Sequence, residues 1–257
     1  MTRLDVVAVT HHGVVRDHNE DTIAVDGLTS NAYEGEPVQV IIDADRPIPC
    51  LVADGLGGHA EGARASGLAA TALADAWARF GDPDSITQAI EEASKQIFEE
   101  MRWSASWTGM ATTLAGIVFY EDQAICVNVG DSRCYRLHPD GGLEQISTDD
   151  SPPLPPGAPP DAVSTIVTQT LGGTPTPSPI NPHLTIERIR PGDRFLLCSD
   201  GLTDYQPLEA IENCFARRAE DDTIGAVADA LESALRAGGR DNVSIVLITV
   251  EAVESGV

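Results

Sequence analysis

The chain has 257 residues, of which 42% are hydrophobic and 22% are charged, fractions that are typical of a folded protein and exclude wholesale disorder. Sixteen Lys and Arg residues against forty Asp and Glu residues give a formal net charge of −24. Such a charge repels nucleic-acid phosphates and anionic membrane surfaces, so we expect neither nucleic acid nor a membrane as a partner.

The cysteines and the apolar runs indicate the compartment. Five cysteines form no C-x-x-C pair, and an odd number lying mostly in apolar runs favours buried, reduced thiols. No run approaches 18 apolar residues, and the first residues lack the basic head and apolar stretch of a signal peptide. We therefore expect a cytoplasmic protein.

Short runs rich in Val and Ile and bounded by turn residues predict eight strands. They cover residues 4–10, 38–42, 50–53, 112–120, 123–129, 184–189, 194–198 and 243–250. The last run is apolar on both of its alternating faces, which is typical of a strand covered on two sides.

Apolar residues at helical spacing predict three helices. The first begins near Ala65 and continues for four turns, and the second starts with Asp82 as a cap and Pro83 at the first helical position. The third follows the acidic pair at 221–222 and stops at the glycines 238–239. Strands arrive in runs and helices in pairs, so we expect an α+β fold with mostly antiparallel sheets.

A proline-rich stretch interrupts this pattern at about residues 151–182. Ten of the seventeen prolines fall between Pro152 and Pro182. Proline lacks the N–H that a central strand must donate, so the stretch should be a stiff surface excursion. Strand and helix patterns resume after it, and we therefore treat residues 1–257 as a single domain.

Four carboxylates stand next to apolar strands. They are Asp54, Asp131, Asp200 and Asp241. One such Asp is ordinarily a turn former, but a buried carboxylate is costly unless it is paired or bound to a metal. If the four strand ends converge, they form an oxygen-only pocket that suits Mg²⁺ or Mn²⁺ rather than Zn²⁺.

A further acidic stretch near the N-terminus follows an arginine. Arg16 comes four residues before Glu20 and five before Asp21. An arginine fork binds tetrahedral phosphate, so arginine beside a metal pocket suggests a phosphorylated ligand. The alternative for Arg16 is a surface ion pair with Asp17 or Glu20.

Six motifs occur in order between about residues 10 and 250. They read G-x-x-R-x-x-N-E-D, V-A-D-G-x-G-G-H, G-M-A-T-T, V-G-D-S-R, L-L-C-S-D-G-L-T-D and D-N-V-S. In these motifs the chain resembles the metal-dependent serine/threonine protein phosphatases of the PPM (type 2C) family, in their bacterial form. The resemblance implies a four-layer αββα sandwich, with two central sheets flanked by helices and a binuclear Mn²⁺ or Mg²⁺ centre at one end.

The resemblance also implies roles for individual positions. Asp54 would bridge two metal ions, and Asp200 and Asp241 would complete the first. The Gly55 carbonyl and Glu20, directly or through water, would serve the second ion.

Further roles follow from the same motifs. Asp21 would support the metal waters, and Asp131 with Asp200 would hold a third, weaker ion. Arg16 would bind the phosphate while a water activated by the metals attacks in line. The expected substrates are proteins phosphorylated by a serine/threonine kinase, and we expect a monomeric enzyme.

The chain departs from the family pattern at the expected general acid. Eukaryotic members place a His directly after the D-G pair, whereas here Leu56 follows, and His59 lies three residues later. His59 is therefore a weak candidate for the acid, and a metal-bound water is the alternative. The proline-rich stretch occupies the place of the family's flap, which leaves substrate recognition open.

Three other functions were weighed. The segment 55–60 fits the dinucleotide fingerprint G-x-G-x-x-A, but Asp54 directly before it would repel a pyrophosphate. The triplet at 130–132 resembles that of G-D-S esterases, yet the chain has no D-x-x-H. The remaining alternative is a catalytically weak phosphoprotein-binding module on the same fold, but every expected acidic position is filled.

Overall fold

The computed structural model describes residues 2–31, 35–57, 60–79, 81–153, 155, 157, 164, 166–219 and 221–252. The strands of this part are β1 (Thr2–His11), β2 (Thr22–Val25), β3 (Leu28–Ser30), β4 (Val38–Ala44), β5 (Ile48–Ala53), β6 (Gly55–Leu56), β7 (Ala111–Thr112), β8 (Leu114–Tyr120), β9 (Gln123–Val129), β10 (Arg133–Leu137), β11 (Leu143–Gln145), β12 (Leu171–Gly172), β13 (His183–Arg188), β14 (Arg194–Cys198) and β15 (Val243–Glu251). The helices are α1 (Ala60–Trp77), α2 (Pro83–Met101), α3 (Asp200–Thr203), α4 (Leu208–Ala216) and α5 (Thr223–Arg236), with a 3₁₀ turn at Ala105–Trp107.

Two six-stranded sheets form the centre of the molecule. Sheet A has the order β11-β10-β14-β15-β1-β4, and sheet B has the order β13-β9-β8-β5-β2-β3. A small sheet, β12-β7-β6, lies at one end. The strand pairs of the two large sheets are antiparallel, which confirms the α+β prediction.

Three apolar clusters separate four layers. Between the sheets, Phe119 of sheet B meets Phe195 of sheet A edge to face at 5.6 Å between ring centroids. The fully buried Trp77 joins α1 and α2 to the outer face of sheet B. On the outer face of sheet A, α5 packs against β15 and β1, and Val227 of α5 and Ile211 of α4 belong to the same apolar cluster. The layer order is thus αββα, as the resemblance implied.

The eight predicted strands and the three predicted helices are all present. The side chain of Asp82 accepts a hydrogen bond from the Ser85 N–H, and α2 begins at Pro83, as the capping pattern predicted. Strand β10 was missed because Arg133 and Arg136 interrupt its apolar pattern. In the fold these arginines pair with acidic residues of neighbouring segments, which makes their positions compatible with a strand.

The strands after β2 and the cysteines complete the description. Strand β3 lies at the edge of sheet B and β4 at the edge of sheet A, and β5 then returns the chain to sheet B. All five cysteines are free thiols, and all but Cys214 are buried. No helix among the described residues has the length and apolar character that a membrane crossing requires. Much of the proline-rich stretch lies outside the described residues.

Gly116 provides a test of the packing between sheet B and α1. A Cβ at this position would lie 2.7 Å from Cζ3 of Trp77, a rigid side chain with no free space. We expect Gly116→Ala to lower the free energy of unfolding by about 1–3 kcal/mol through overpacking, measured by urea denaturation.

The matched control is Gly67→Ala in α1, where an added Cβ has nothing within 4 Å. This change should raise stability by about 0.5–1 kcal/mol because Ala favours the helix. Equal effects of the two substitutions would contradict the tight contact with Trp77.

Candidate active site

The topology brings the four predicted carboxylates to one end of the sandwich. In sheet B, β5 and β9 run in the same direction, since each is antiparallel to β8, and they lead to Asp54 and Asp131. In sheet A, β14 leads to Asp200, while β15 begins just after Asp241. The antiparallel pairing of β14 with β15 places the end of one strand beside the start of the other.

The backbone of Asp54 is held from both sides. Its N–H donates to Thr113 Oγ1 at 3.2 Å, and its carbonyl accepts from Thr113 N at 2.9 Å and from Thr112 Oγ1 at 2.8 Å. These bonds fix the turn between β5 and β6 through the backbone of Asp54 alone and do not use its carboxylate. The sequence motif M-A-T-T therefore positions Asp54.

Asp21 links the two sheets. It lies just before β2 of sheet B, and its Oδ2 accepts hydrogen bonds from Ser199 Oγ and Ser244 Oγ of sheet A, each at 2.7 Å. The residue is fully buried, and burial raises the pKa of Asp21 to about 6 although both serine bonds oppose the shift. Its Oδ1 has no hydrogen-bond partner among the described residues.

Asn242, which the sequence did not single out, ties the N-terminal loop to β15. Its Oδ1 accepts from the Glu20 N–H at 2.8 Å, and its Nδ2 donates to the carbonyls of His12 and His18 at 3.0 and 2.9 Å. The preceding residue, Asp241, is thereby held next to Glu20 and Arg16.

Arg16 forms an ion pair, but not with the partners that the alternative named. Its Nη2 donates to Asp241 Oδ2 at 2.7 Å, so the prediction of a pair with Asp17 or Glu20 is wrong in its partner. The side chain is 54% exposed, because its loop lies on the surface beside the carboxylates. This hydrogen bond is the largest cause of the raised pKa of Arg16.

Gly62 makes room for two oxygens. A Cβ at this position would collide with Glu20 Oε2 and would lie 2.8 Å from the Gly55 carbonyl oxygen. Both oxygens therefore border the same small space, which only a residue without a side chain leaves open. This supports the implied partnership of Glu20 with Gly55. Gly62 was not predicted, because no local pattern marks its role.

Asp150 ties the ends of the proline-rich stretch to the loop that carries Asp131. Its Oδ2 accepts from Gly130 N at 2.9 Å and from Gln169 Nε2 at 2.8 Å, while its Oδ1 lies 2.9 Å from His183 Nε2. The Asp150 carbonyl also accepts from the Thr168 N–H at 2.7 Å. The excursion is thus anchored next to the carboxylates. His59 lies outside the described residues.

Burial and the crowding of like charges together raise the pKa values of the carboxyl groups at this end. Burial is the first cause of the raised pKa of Asp54, and repulsion from Asp21, Asp200, Asp241 and Asp131 adds to it. Asp200 behaves in the same way, and Asp131 is also raised by burial. Five carboxylates this close are stable as anions only if a cation joins them.

The donor set fits a hard divalent cation. Every candidate ligand is an oxygen, and Asp21 Oδ1 and Asp200 Oδ1 are buried without a hydrogen-bond partner in the described part of the chain. In the same part, no three His, Cys, Asp or Glu side chains meet closely enough to form a finished metal cage. Asp241 contacts Arg16 at 2.7 Å, and Asp21 accepts hydrogen bonds from two serine hydroxyls.

Comparison with known proteins identifies the family. The profile described as protein phosphatase 2C matches residues 29–236. The chain belongs to the protein phosphatase 2C family. It is 33% identical to the serine/threonine protein phosphatase PstP of Mycobacterium tuberculosis, over 98% of this chain and 46% of that protein. It is 29% identical to the serine/threonine phosphatase stp of Listeria innocua, over 96% of both chains.

A solved structure of this family is similar throughout. The catalytic domain of PstP in complex with two manganese ions aligns with a TM-score of 0.76 and 31% identity, over 98% of this chain and all of that one. The chain thus spans about half the length of full PstP and the whole of its catalytic domain. The family profile leaves out residues before 29 and after 236, but this alignment extends over nearly the whole chain.

The raised carboxyl pKa values predict how stability depends on pH. A carboxyl group whose pKa is higher in the folded state stabilises the fold at low pH, and this contribution disappears as the pH rises through the folded value, about 6 for Asp21 and Asp204. In EDTA, the melting temperature should therefore fall between pH 5 and pH 7.5. Millimolar Mn²⁺ should raise the melting temperature by several degrees at pH 7.5. A ligand that binds only the folded state, at 100 times its dissociation constant, adds about 2.7 kcal/mol to the free energy of unfolding.

At pH 5 the same Mn²⁺ concentration should have a smaller effect, because protons compete for the carboxylates. Differential scanning calorimetry at the two pH values, with and without Mn²⁺, measures all four conditions. An Mn²⁺ effect as large at pH 5 as at pH 7.5 would contradict the carboxylate centre.

Proposed function

We propose that this protein hydrolyses phosphoserine and phosphothreonine in proteins with the help of two Mn²⁺ or Mg²⁺ ions and a third, weaker one. The observation that supports this most is the gathering of Asp21, Asp131, Asp200 and Asp241 around Asp54 at one end of the sandwich. Membership of the protein phosphatase 2C family points to the same reaction.

The metal roles remain those that the motifs implied. Asp54 would bridge two ions, Asp200 and Asp241 would complete the first, and Glu20 with the Gly55 carbonyl would serve the second. When bound, the ions would lower the pKa of a water molecule and neutralise the phosphoryl oxygens. The related catalytic domain of PstP is described with two manganese ions, in support of this stoichiometry.

Two more carboxylates complete the proposed centre. Asp131 with Asp200 would hold the third ion. Asp21, which is fully buried between two serine hydroxyls, would orient the waters around the ions through its remaining oxygen. Because Asp21 precedes β2 of sheet B and contacts two serines of sheet A, it would also hold the metal ligands of the two sheets at a constant separation.

Arg16 would bind the substrate phosphate. One of its terminal nitrogens already contacts Asp241, and the fork retains further N–H donors for a phosphate oxygen. An arginine bound to a carboxylate at the edge of the centre can hold a phosphate next to that centre without entering it. His59 is the candidate side chain for the acid that protonates the leaving oxygen, and a metal-bound water is the alternative.

The partners follow from this activity. We propose phosphorylated proteins as substrates, formed by a serine/threonine kinase, and a monomeric, cytoplasmic enzyme in which residues 1–257 form a single catalytic domain. The net charge of −24 supports the absence of nucleic-acid and membrane partners. No observation favours the catalytically weak binding module, because all of the expected acidic positions are filled.

Asp54→Asn tests the metal roles. This change keeps the shape of the side chain and removes the charge that would bridge two ions, so release of phosphate from p-nitrophenyl phosphate at saturating Mn²⁺ should fall at least about 100-fold. The control Asp75→Asn removes the same charge from an exposed position on α1 and should leave the rate unchanged. Activity of Asp54→Asn within about threefold of the parent would overturn the assignment.

Arg16→Ala separates phosphate binding from metal binding. Loss of the fork should lower kcat/KM about 10- to 100-fold for every phosphorylated substrate. Mn²⁺ affinity, measured by titration calorimetry, should stay equal or rise, because the change removes a positive charge bound to Asp241. If Mn²⁺ affinity falls together with activity, Arg16 supports the carboxylates instead of binding phosphate.

A further inference from the structure

A second arginine lies at the edge of the candidate centre, and neither the motifs nor the proposed roles use it. Arg240 directly precedes Asp241, and its guanidinium carbon lies 5.6 Å from the centroid of the Tyr205 ring. Both side chains are exposed, Tyr205 by 36%. We call Arg240 and Tyr205 the arginine–tyrosine rim.

The rim borders the proposed phosphate site. Burial raises the pKa of Tyr205, the nearby Asp241, Asp200 and Asp204 add to the shift, and Arg16 opposes it. Tyr205 is therefore within electrostatic reach of both Arg16 and the carboxylates. Val14 donates its N–H to the Gly239 carbonyl at 2.7 Å, so the loop that carries Arg16 is hydrogen-bonded to the loop that carries Arg240.

The Arg240 guanidinium is available to a ligand. None of the ion pairs formed among the described residues includes it. Its recorded side-chain neighbour is the face of an aromatic ring, which holds a cation in place without neutralising it. The N–H donors along the edge of the guanidinium stay open to an anion.

A cation at this place matters because its surroundings are strongly negative. The chain carries forty acidic residues against sixteen basic ones, and the candidate centre alone gathers five carboxylates. A peptide with acidic residues beside its phosphorylated residue would be repelled by the net charge of −24 unless a local cation met those residues. Arg16 faces Asp241 and the proposed phosphate, which leaves Arg240 for the flanking side chain.

We propose that the arginine–tyrosine rim is a subsite for an acidic side chain next to the phosphorylated residue, so that acidic phosphopeptides are the preferred substrates. This inference rests on the proposed function, since it concerns recognition at the same site. Arg240 would bind the flanking carboxylate, and Tyr205 would act as a positioning residue that orients the guanidinium.

The test compares two peptides that differ only in flanking charge. One peptide carries Asp directly before and directly after the phosphorylated residue, and the other carries Asn at the same two positions. The phosphoester is tested in turnover with Mn²⁺, and a non-hydrolysable phosphonate version is tested in binding by fluorescence anisotropy. The wild type should prefer the acidic peptide about three- to fivefold in both measurements, as expected for an exposed charge pair, and less at high salt.

The preference should disappear in Arg240→Gln, whatever the overall rate of that variant. The matched control is Arg188→Gln, because Arg188 is exposed and lies at the far end of β13, opposite Gln123. The control changes the net charge equally and should keep the preference. Tyr205→Phe should also keep the preference for the acidic peptide, whereas Tyr205→Ala should reduce it. If Arg240→Gln fails to fold, these two variants test the subsite, and equal preferences in both would overturn it.

The outcomes separate the two proposals. Equal binding of the two phosphonate peptides by the wild type, or a preference retained in Arg240→Gln, overturns the subsite. An absence of turnover for both phosphopeptides overturns the proposed function, while the binding measurement still decides whether the rim selects acidic peptides. A preference lost equally in Arg188→Gln would assign it to the overall field and overturn the subsite.

Discussion

The repulsion among buried carboxylates is the constraint on which the rest of the structure depends. Two sheets bring Asp54, Asp131, Asp200 and Asp241 to one end, and each charge there raises the free energy of the others. The protein compensates with polar contacts from outside the group, such as the two serine hydroxyls on Asp21 and the guanidinium of Arg16 on Asp241. The same carboxylates attract a divalent cation, because their attraction to the cation replaces their mutual repulsion.

Burial of apolar side chains in the layers around the site offsets the unfavourable free energy of the carboxylate repulsion. Three apolar clusters hold the sheets and helices together, and the two sheets contact each other through large side chains such as Phe119 and Phe195. The unfavourable free energy of repulsion among the carboxylates is small compared with the favourable free energy of burying three apolar clusters. A polar crosslink at the open end, Asp21, then fixes the distance between the sheets where the apolar core stops. Stability and ligand geometry thus come from different parts of the same sandwich.

Much of the fold followed from the sequence, because Val- and Ile-rich runs and the Asp82 cap have local signatures. The carboxylates were found for a similar reason, as each stands next to an apolar strand. Contacts made across the sheets had no such signal: Ser199 and Ser244 meet Asp21 over separations of 178 and 223 residues. The role of Gly62 depends on the position of Glu20, which belongs to a distant loop. Local patterns therefore predicted which groups would act, while their supports required the tertiary structure.

The link between Asn242 and the loop at Glu20 has a consequence for biosynthesis. The two residues are 222 positions apart, and the Glu20 N–H, His12 carbonyl and His18 carbonyl all converge on that one amide. While the chain is being translated, the N-terminal loop lacks its anchor until β15 has been made, since contacts between distant segments form late. A nascent chain thus carries its acidic loop without this anchor until β15 has left the ribosome, and the loop can take its final place only then.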